Sequence, residues 1–564
     1  VEETESEEPE TKGNVLQRFK AWYVGHKKKS IPLTVLLVLA VLFGLPWTRY
    51  ALLGLVIQKD VAVIVTDSQT NVPVSGAQVS LRGLTTTTDG QGEAHLNKVK
   101  VGPGRLSITK KYYQDANQAV AVPLGSVRDP FKAKLVATGR QLALKITDKI
   151  TGAVVAGATI TAAGTEAKTD TNGAATLVVP ADQPDVTATF KATGYNDFTT
   201  GLTTATTNVA SNSFSLTPSG KLYFLSKQSG KIDVVKTDLD GLNREVILPG
   251  TGSEEDANTV LLASRDWKYL ALLSRRDGTK PRLYSLETSN SQLTEIDSGD
   301  ATFSPAGWSG HHFIYRVDRN NVPLWQSKTS ALKSYNAEAK QLTTLDETNA
   351  EGTSDNDYVA EAFDTVYIFK DQLVYTKHWN AGYYSAYRLA NKRMGIYTNK
   401  ATGEGKQTVK DFDVGNNGYI NAVLAKPDEL YLGVVNGSTS YYEYTNGHLS
   451  ESKEVSEDSF NTFYPTFLIS PGGNASFWYE PRDGKNTLFT GGPDGSSPRQ
   501  LATLSEYTPY GWYTDKYLLV SKGGSELYIM PSGGDDATEH LLKVADYHKP
   551  ATSFAGYGYG YGGQ

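Results

Sequence analysis

One loosely repeated unit dominates this 564-residue chain. From Gly220 to about Tyr547 each copy reads as an apolar strand, a turn rich in Asp, Gly or Asn, and a second strand that often starts Leu-Tyr. Tyr269–Ser274, Arg276-Asp277-Gly278 and Leu283–Leu286 make one copy. Phe477–Glu480, Arg482-Asp483-Gly484 and Leu488–Thr490 make another, and Tyr517–Ser521, Gly523-Gly524 and Leu527–Met530 a third. Second strands fall near Val234, Leu283, Leu324, Ile396, Tyr442, Leu488 and Leu527, which gives seven units. At roughly 47 residues each, a unit has room for four short strands. The first unit is one strand short, so the end of the chain is expected to supply it. The longest unit, around residues 350–413, carries insertions expected to form a loop on one face.

Some units are preceded by Ser-Pro and glycine, as in Phe303-Ser304-Pro305 with Gly307 and Ile469-Ser470-Pro471-Gly472. The array resembles the repeats of Tol-system periplasmic propellers and of prolyl-oligopeptidase-type propellers. The stretch Asp238-Leu239-Asp240-Gly241-Leu242-Asn243-Arg244-Glu245-Val246 also looks like a receptor-type propeller repeat. The resemblance implies a β-propeller over residues 218–549. Seven blades are expected, with six or eight the nearest alternatives. Closing such a ring removes the exposed strand edges that make an open sheet aggregate.

A tighter repeat of 81 residues precedes the array. Asp67, Gly76-Ala77, Thr88-Asp89 and Gly92 recur without a gap as Asp148, Gly157-Ala158, Thr169-Asp170 and Gly173, and Lys110 recurs as Lys191. Each copy opens on a strand of alternating polarity: Val61, Val63 and Val65, then Leu142, Leu144 and Ile146. This predicts two small antiparallel β-sandwich modules, at 58–137 and 138–217. The pattern resembles carboxypeptidase regulatory-like domains, a transthyretin-like family usually serving as stalks. Collagen-adhesin B-repeats look similar, and some form Lys–Asn isopeptide bonds. The lysine position of that family is Ile146 here, and Lys145 falls on the opposite strand face, so no crosslink is expected.

Ahead of the modules, Ile31–Trp47 is apolar but for one threonine, and Ala51–Ile57 continues it. Residues 30–57 therefore read as a single transmembrane helix with its juxtamembrane segment. Lys27-Lys28-Lys29 precede it and only Arg49 and Lys59 follow, which places residues 1–29 in the cytoplasm and the bulk outside, at the cell surface. The glutamate-rich start Val1–Glu10 and the Gly/Tyr-rich end, 550–564, read as flexible tails. The chain as a whole is thus expected to be mainly β. Its net charge of −6, with no basic block, argues against nucleic acid as a partner.

No thiol is present, which excludes disulfides, thiolate metal sites and cysteine nucleophiles. There is no G-x-S-x-G; Gly307-Trp308-Ser309-Gly310-His311 has histidine at the second glycine. Nor is there an H-E-x-x-H. The last strand lies about seventeen residues from Gln564, too few for a hydrolase domain. No enzymatic activity, catalytic residue, metal site or cofactor is therefore expected. Asp355-Asn356-Asp357 and Asp238-Leu239-Asp240-Gly241 could offer calcium hard oxygens, but without a spaced glutamate they read as turns. Aromatics are the stronger signal: His378, Trp379, Tyr383, Tyr384 and Tyr387 crowd the longest insertion and form the candidate ligand face. The expectation is a membrane-anchored surface protein whose propeller, raised on a two-module stalk, binds an envelope protein or glycan. An envelope sensor signalling through the cytoplasmic tail and a polysaccharide-acting propeller enzyme are the alternatives. Self-association is left open.

Overall fold

The computed structural model describes residues 15–548 apart from 45–48, 51–52, 55, 205–211, 370–371, 415–417, 427–428, 454–467, 483–484, 494, 504–506 and 534–539. Both terminal tails read from the sequence lie outside the described residues. The chain divides into two compact units, 1–147 with 153–216 and 148–152 with 217–564.

The first unit begins with helices Val15–Gly25 and Lys27–Gly44. The second helix spends its first turn on Lys27-Lys28-Lys29-Ser30. Its apolar part, Ile31–Gly44, is about 21 Å long at 1.5 Å per residue, against a hydrocarbon core of about 30 Å. Among the described residues no helix is long and apolar enough to cross a membrane. The transmembrane helix expected over 30–57 is therefore not found.

Two sandwiches follow. In module 1, one sheet runs Glu93–Lys100, Gln58–Asp67, Phe131–Ala137, Tyr113–Gln114; the other runs Leu84–Thr87, Gln78–Leu81, Gly102–Thr109, Ala116–Val122. Module 2 repeats the plan with sheets of three and four strands. The repeated residues explain themselves as hydrogen-bonding groups. Thr88 Oγ1 donates to the Val74 carbonyl (2.6 Å) and accepts the Ala77 N–H (2.9 Å). Thr169 does the same with Val155 (2.7 Å) and Ala158 (2.8 Å). Asp89 Oδ1 accepts the N–H groups of Gln91 and Glu93, as Asp170 Oδ1 accepts those of Asn172 and Ala174. Gly92 and Gly173 both have φ of +70°, and a Cβ there would lie 2.5 Å from the Val65 carbonyl oxygen or 2.6 Å from that of Ile146. Only glycine fits. Ile146 is fully buried, and Lys145, opposite Ala174 in the ladder, lies on the other face.

Among the described residues the second unit holds seven consecutive sheets, as many as the repeat has units, although Leu324, read as a second strand, lies in the loop before Ser330–Asn336. Alternation along each strand sends neighbouring residues to opposite flanks. Leu270 and Leu272 pack with Leu225 and Val234 of the first sheet, whereas Ala271 and Leu273 pack with Phe303 and Tyr315 of the third. Sheets buried on both faces need near-continuous apolar strands, and the sequence supplies them. Leu222 and Phe224 of the first sheet share a core with Tyr517, Leu519 and Ile529 of the seventh, so the array closes as a β-propeller.

The expected clasp takes a different form. The first sheet has three strands, Lys221–Ser226, Asp233–Asp238 and Glu245–Leu248, while the last has four of its own, ending at Leu542–Asp546. The His548 N–H donates to the Leu225 carbonyl (2.8 Å), but among the described residues no strand from the chain's end joins the first sheet. Side-to-side apolar packing closes the ring instead.

Candidate functional site

The fourth blade is the irregular one. It has five strands: Ala350–Ser354, Asp357–Phe369, Gln372–Ala381, Arg393–Lys400 and Gln407–Asp413. Between the third and fourth of these sits a 3-10 helix, Tyr383–Asn391. This is the insertion foreseen from unit length. Its inner side is fixed by Leu389 and Ser385, both buried. Asp357 accepts from the Ser385 hydroxyl, from Arg388 Nη2 (2.8 Å) and from Thr353 Oγ1 (2.9 Å). Those donors, Ser385 foremost, hold the Asp357 carboxyl below the usual carboxylate range. The Tyr384 N–H donates to the Asn356 carbonyl (2.9 Å), tying the helix to the turn before it.

On the outer side the three tyrosines stand in solvent: Tyr383 is 84%, Tyr384 68% and Tyr387 76% exposed. Tyr384 and Tyr387 are three residues apart and so share one side of a 3-10 helix. The rings of Tyr383 and Tyr384 meet edge-on with centroids 5.3 Å apart. A short helix pinned from below thus carries exposed rings on a fixed base.

The other two candidate residues lie elsewhere, on the strand Gln372–Ala381. His378 Nδ1 faces the Asp364 carboxylate and its Nε2 lies 3.0 Å from Asn380 Oδ1. Burial pulls the His378 pKa down, but Asp364 outweighs it and leaves the value raised. Trp379 packs beside the core shared by blades four and five, with Lys392 Nζ 4.2 Å from its ring centroid. Adjacent strand residues point to opposite faces, so these two do not present one surface.

Sequence reasoning missed the charges beneath this blade. Lys377 Nζ lies 3.3 Å from Asp346 and 3.2 Å from Glu361, with all three side chains almost wholly buried. Asp346 also accepts from Lys406 (2.7 Å) and the Tyr375 hydroxyl (2.9 Å). Burial alone would raise its pKa, but these partners keep it low. The partners come from separate strands, so no local spacing announces them.

In the calcium candidates Asp238, Asp240 and Asp357 already take protein donors. Asp238 takes Lys221 and Asn243, and Asp240 takes Lys149 (2.8 Å) and Thr217 (2.6 Å). Asp357 is bound as described above. Among the described residues no group of three His, Cys, Asp or Glu is placed to hold a metal.

No protein-family model and no curated protein sequence matches the chain. Solved structures do. A prolyl endopeptidase is 12% identical over 63% of this chain and 46% of its own, at a TM-score of 0.35. An oligogalacturonate lyase from Vibrio parahaemolyticus is 10% identical over 58% and 85%, at 0.32. The β-propeller domain of the Trilobed protease from Pyrococcus furiosus is 13% identical over 52% and 98%, at 0.30. The chain spans about half the length of the prolyl endopeptidase it matches. The expectation that this protein is not an enzyme is withdrawn, since a prolyl endopeptidase and a lyase are among the structures it resembles. At this identity the likeness is one of fold, and no reaction passes with it.

Proposed function

We propose that the propeller is a recognition domain whose fourth blade binds a protein or glycan partner through Tyr383, Tyr384 and Tyr387. One observation carries the reading: three rings, each more than two-thirds exposed, on a helix whose opposite side is buried and hydrogen-bonded. Exposed aromatics mounted on a fixed base offer contact area at little entropic cost, which favours binding. The two sandwich modules serve as a spacer in this reading, in line with the resemblance to regulatory-like stalk domains. An extracytoplasmic setting belongs to it as well, supported by Lys27–Lys29 ahead of the exposed apolar residues Ile31–Val41.

The test uses the whole chain on a glycan array and in pull-downs from envelope extracts. Replacing Tyr384 and Tyr387 with alanine removes two highly exposed side chains and leaves the buried Ser385 and Leu389 in place, so folding is retained. Binding should weaken at least about 30-fold, as loss of a central aromatic anchor does. Unchanged binding by the Tyr383→Ala/Tyr384→Ala/Tyr387→Ala variant would move the working face off this blade.

A further inference from the structure

The joint between the two modules is built from contacts that their internal repeat does not predict. Only Thr138 and Gly139 separate the strand Phe131–Ala137 from Arg140–Asp148. Both of their N–H groups donate to the Tyr112 carbonyl, at 2.8 and 3.2 Å. A Cβ on Gly139 would fall 2.4 Å from the Val179 carbonyl oxygen, so the linker lies tight against module 2. The residues around Tyr112 then reach across. Lys110 Nζ donates to the carbonyl of Glu166 (2.7 Å) and to that of Ser75 in its own module. Lys111 Nζ (2.8 Å) and the Tyr112 hydroxyl (3.0 Å) both donate to the Ala163 carbonyl, at the turn joining Thr159–Ala162 to Thr165–Lys168. Two further bonds cross the joint: Lys168 N–H to Ser75 Oγ (3.0 Å) and Gln141 Nε2 to Asp67 Oδ2 (2.7 Å). Val178 of module 2 is buried in the core of module 1.

We propose that Lys110-Lys111-Tyr112 is a strap that locks the two sandwich modules into one rigid body, and that the lock tightens as pH rises. The equivalent segment of module 2, Lys191-Ala192-Thr193, is no strap: Lys191 pairs with Asp197 on the module's own exposed surface. Burial lowers the Lys110 pKa to about 8, against a smaller opposing pull from Glu166. The titratable groups facing it are Asp67 and Tyr113 of module 1 and Glu166 of module 2. An opened joint would remove the share of that burial which module 2 supplies and raise the Lys110 pKa, so above about 8 the closed joint holds fewer protons. Raising pH past that value therefore favours closure. A neutral amine still has two N–H groups, one for each of its carbonyl acceptors.

The chain has no cysteine, so Gln118→Cys and Thr187→Cys place one spin label on each module of the full-length protein. The parent should give a single narrow distance distribution. Lys111→Met with Tyr112→Phe should broaden it about twofold, toward the relative motion that unlocked domains show by default. In the parent the distribution should narrow further from about pH 7 to about pH 9.5, and Lys110→Met should abolish that change. A strap variant as narrow as the parent would overturn the proposal. So would a parent that broadens at high pH. A second label pair inside module 1 reports its integrity; were the double variant to loosen that pair too, Tyr112→Phe alone, which removes one hydroxyl, gives the deciding measurement.

Discussion

Thr88 and Thr169 hold the same two backbone groups in their respective modules, and Asp89 and Asp170 cap the same hairpin turn. Lys110 and Lys191 also occupy equivalent positions, yet one is buried across a joint and the other is paired on the surface. Residues that satisfy a module's own backbone recur because every copy of the fold has the same donors and acceptors to satisfy. Residues that reach a neighbour diverge in their contacts even where, as with Lys110 and Lys191, their identity is kept, because only one of the two copies has that neighbour on that side.

Substitutions made in pairs can break this equivalence. The largest effect belongs to Gly92→Ala and Gly173→Ala, each of which puts a methyl group against a carbonyl at positive φ. Each should destabilise its module by about 3 kcal/mol, read as a lowered calorimetric transition of the sandwich unit. A module that tolerates its alanine while the other does not would end the claim that the copies share one turn geometry. Thr88→Val and Thr169→Val keep shape but leave a buried carbonyl and N–H unpaired, at about 2 kcal/mol each in urea titrations. Asp89→Ala and Asp170→Ala, nearer the surface, should cost about 1 kcal/mol each.

The smallest effect separates the copies instead of equating them. Lys110 titrates near 8 when folded and near 10.5 when unfolded. Within that window the unfolded chain binds the extra proton, so the stability of the sandwich unit should rise with pH. Lys110→Met should flatten the rise, and Lys191→Met should leave it as in the parent. Equal slopes in all three proteins would remove Lys110 from the explanation.

Much of the β architecture was legible because it rests on periodic or local chemistry. Seven turn-and-strand units became seven sheets, and the T-D-x-x-G motif became a threonine bridge, an aspartate cap and an obligatory glycine. The joint was illegible for an equally physical reason: Lys110, Lys111 and Tyr112 bond to carbonyls, which every residue carries, so Glu166 and Ala163 leave no mark of partnership in the sequence. The span expected over 30–57 has no counterpart among the described helices, because the helix Lys27–Gly44 spends its first turn on lysines and its apolar part is short. At the candidate site, insertion length foretold the tyrosine helix. Strand alternation, overlooked there, turned His378 and Trp379 to opposite faces of one strand.

Each blade is made from strands contiguous in the chain, and no described strand staples the last blade to the first. Tension applied along the polypeptide would therefore meet no described strand interlock at the seam. Blades would be expected to peel away one after another, each step giving up the grease and the few polar ties between two neighbours, so such a ring should yield to pulling in instalments and not all at once.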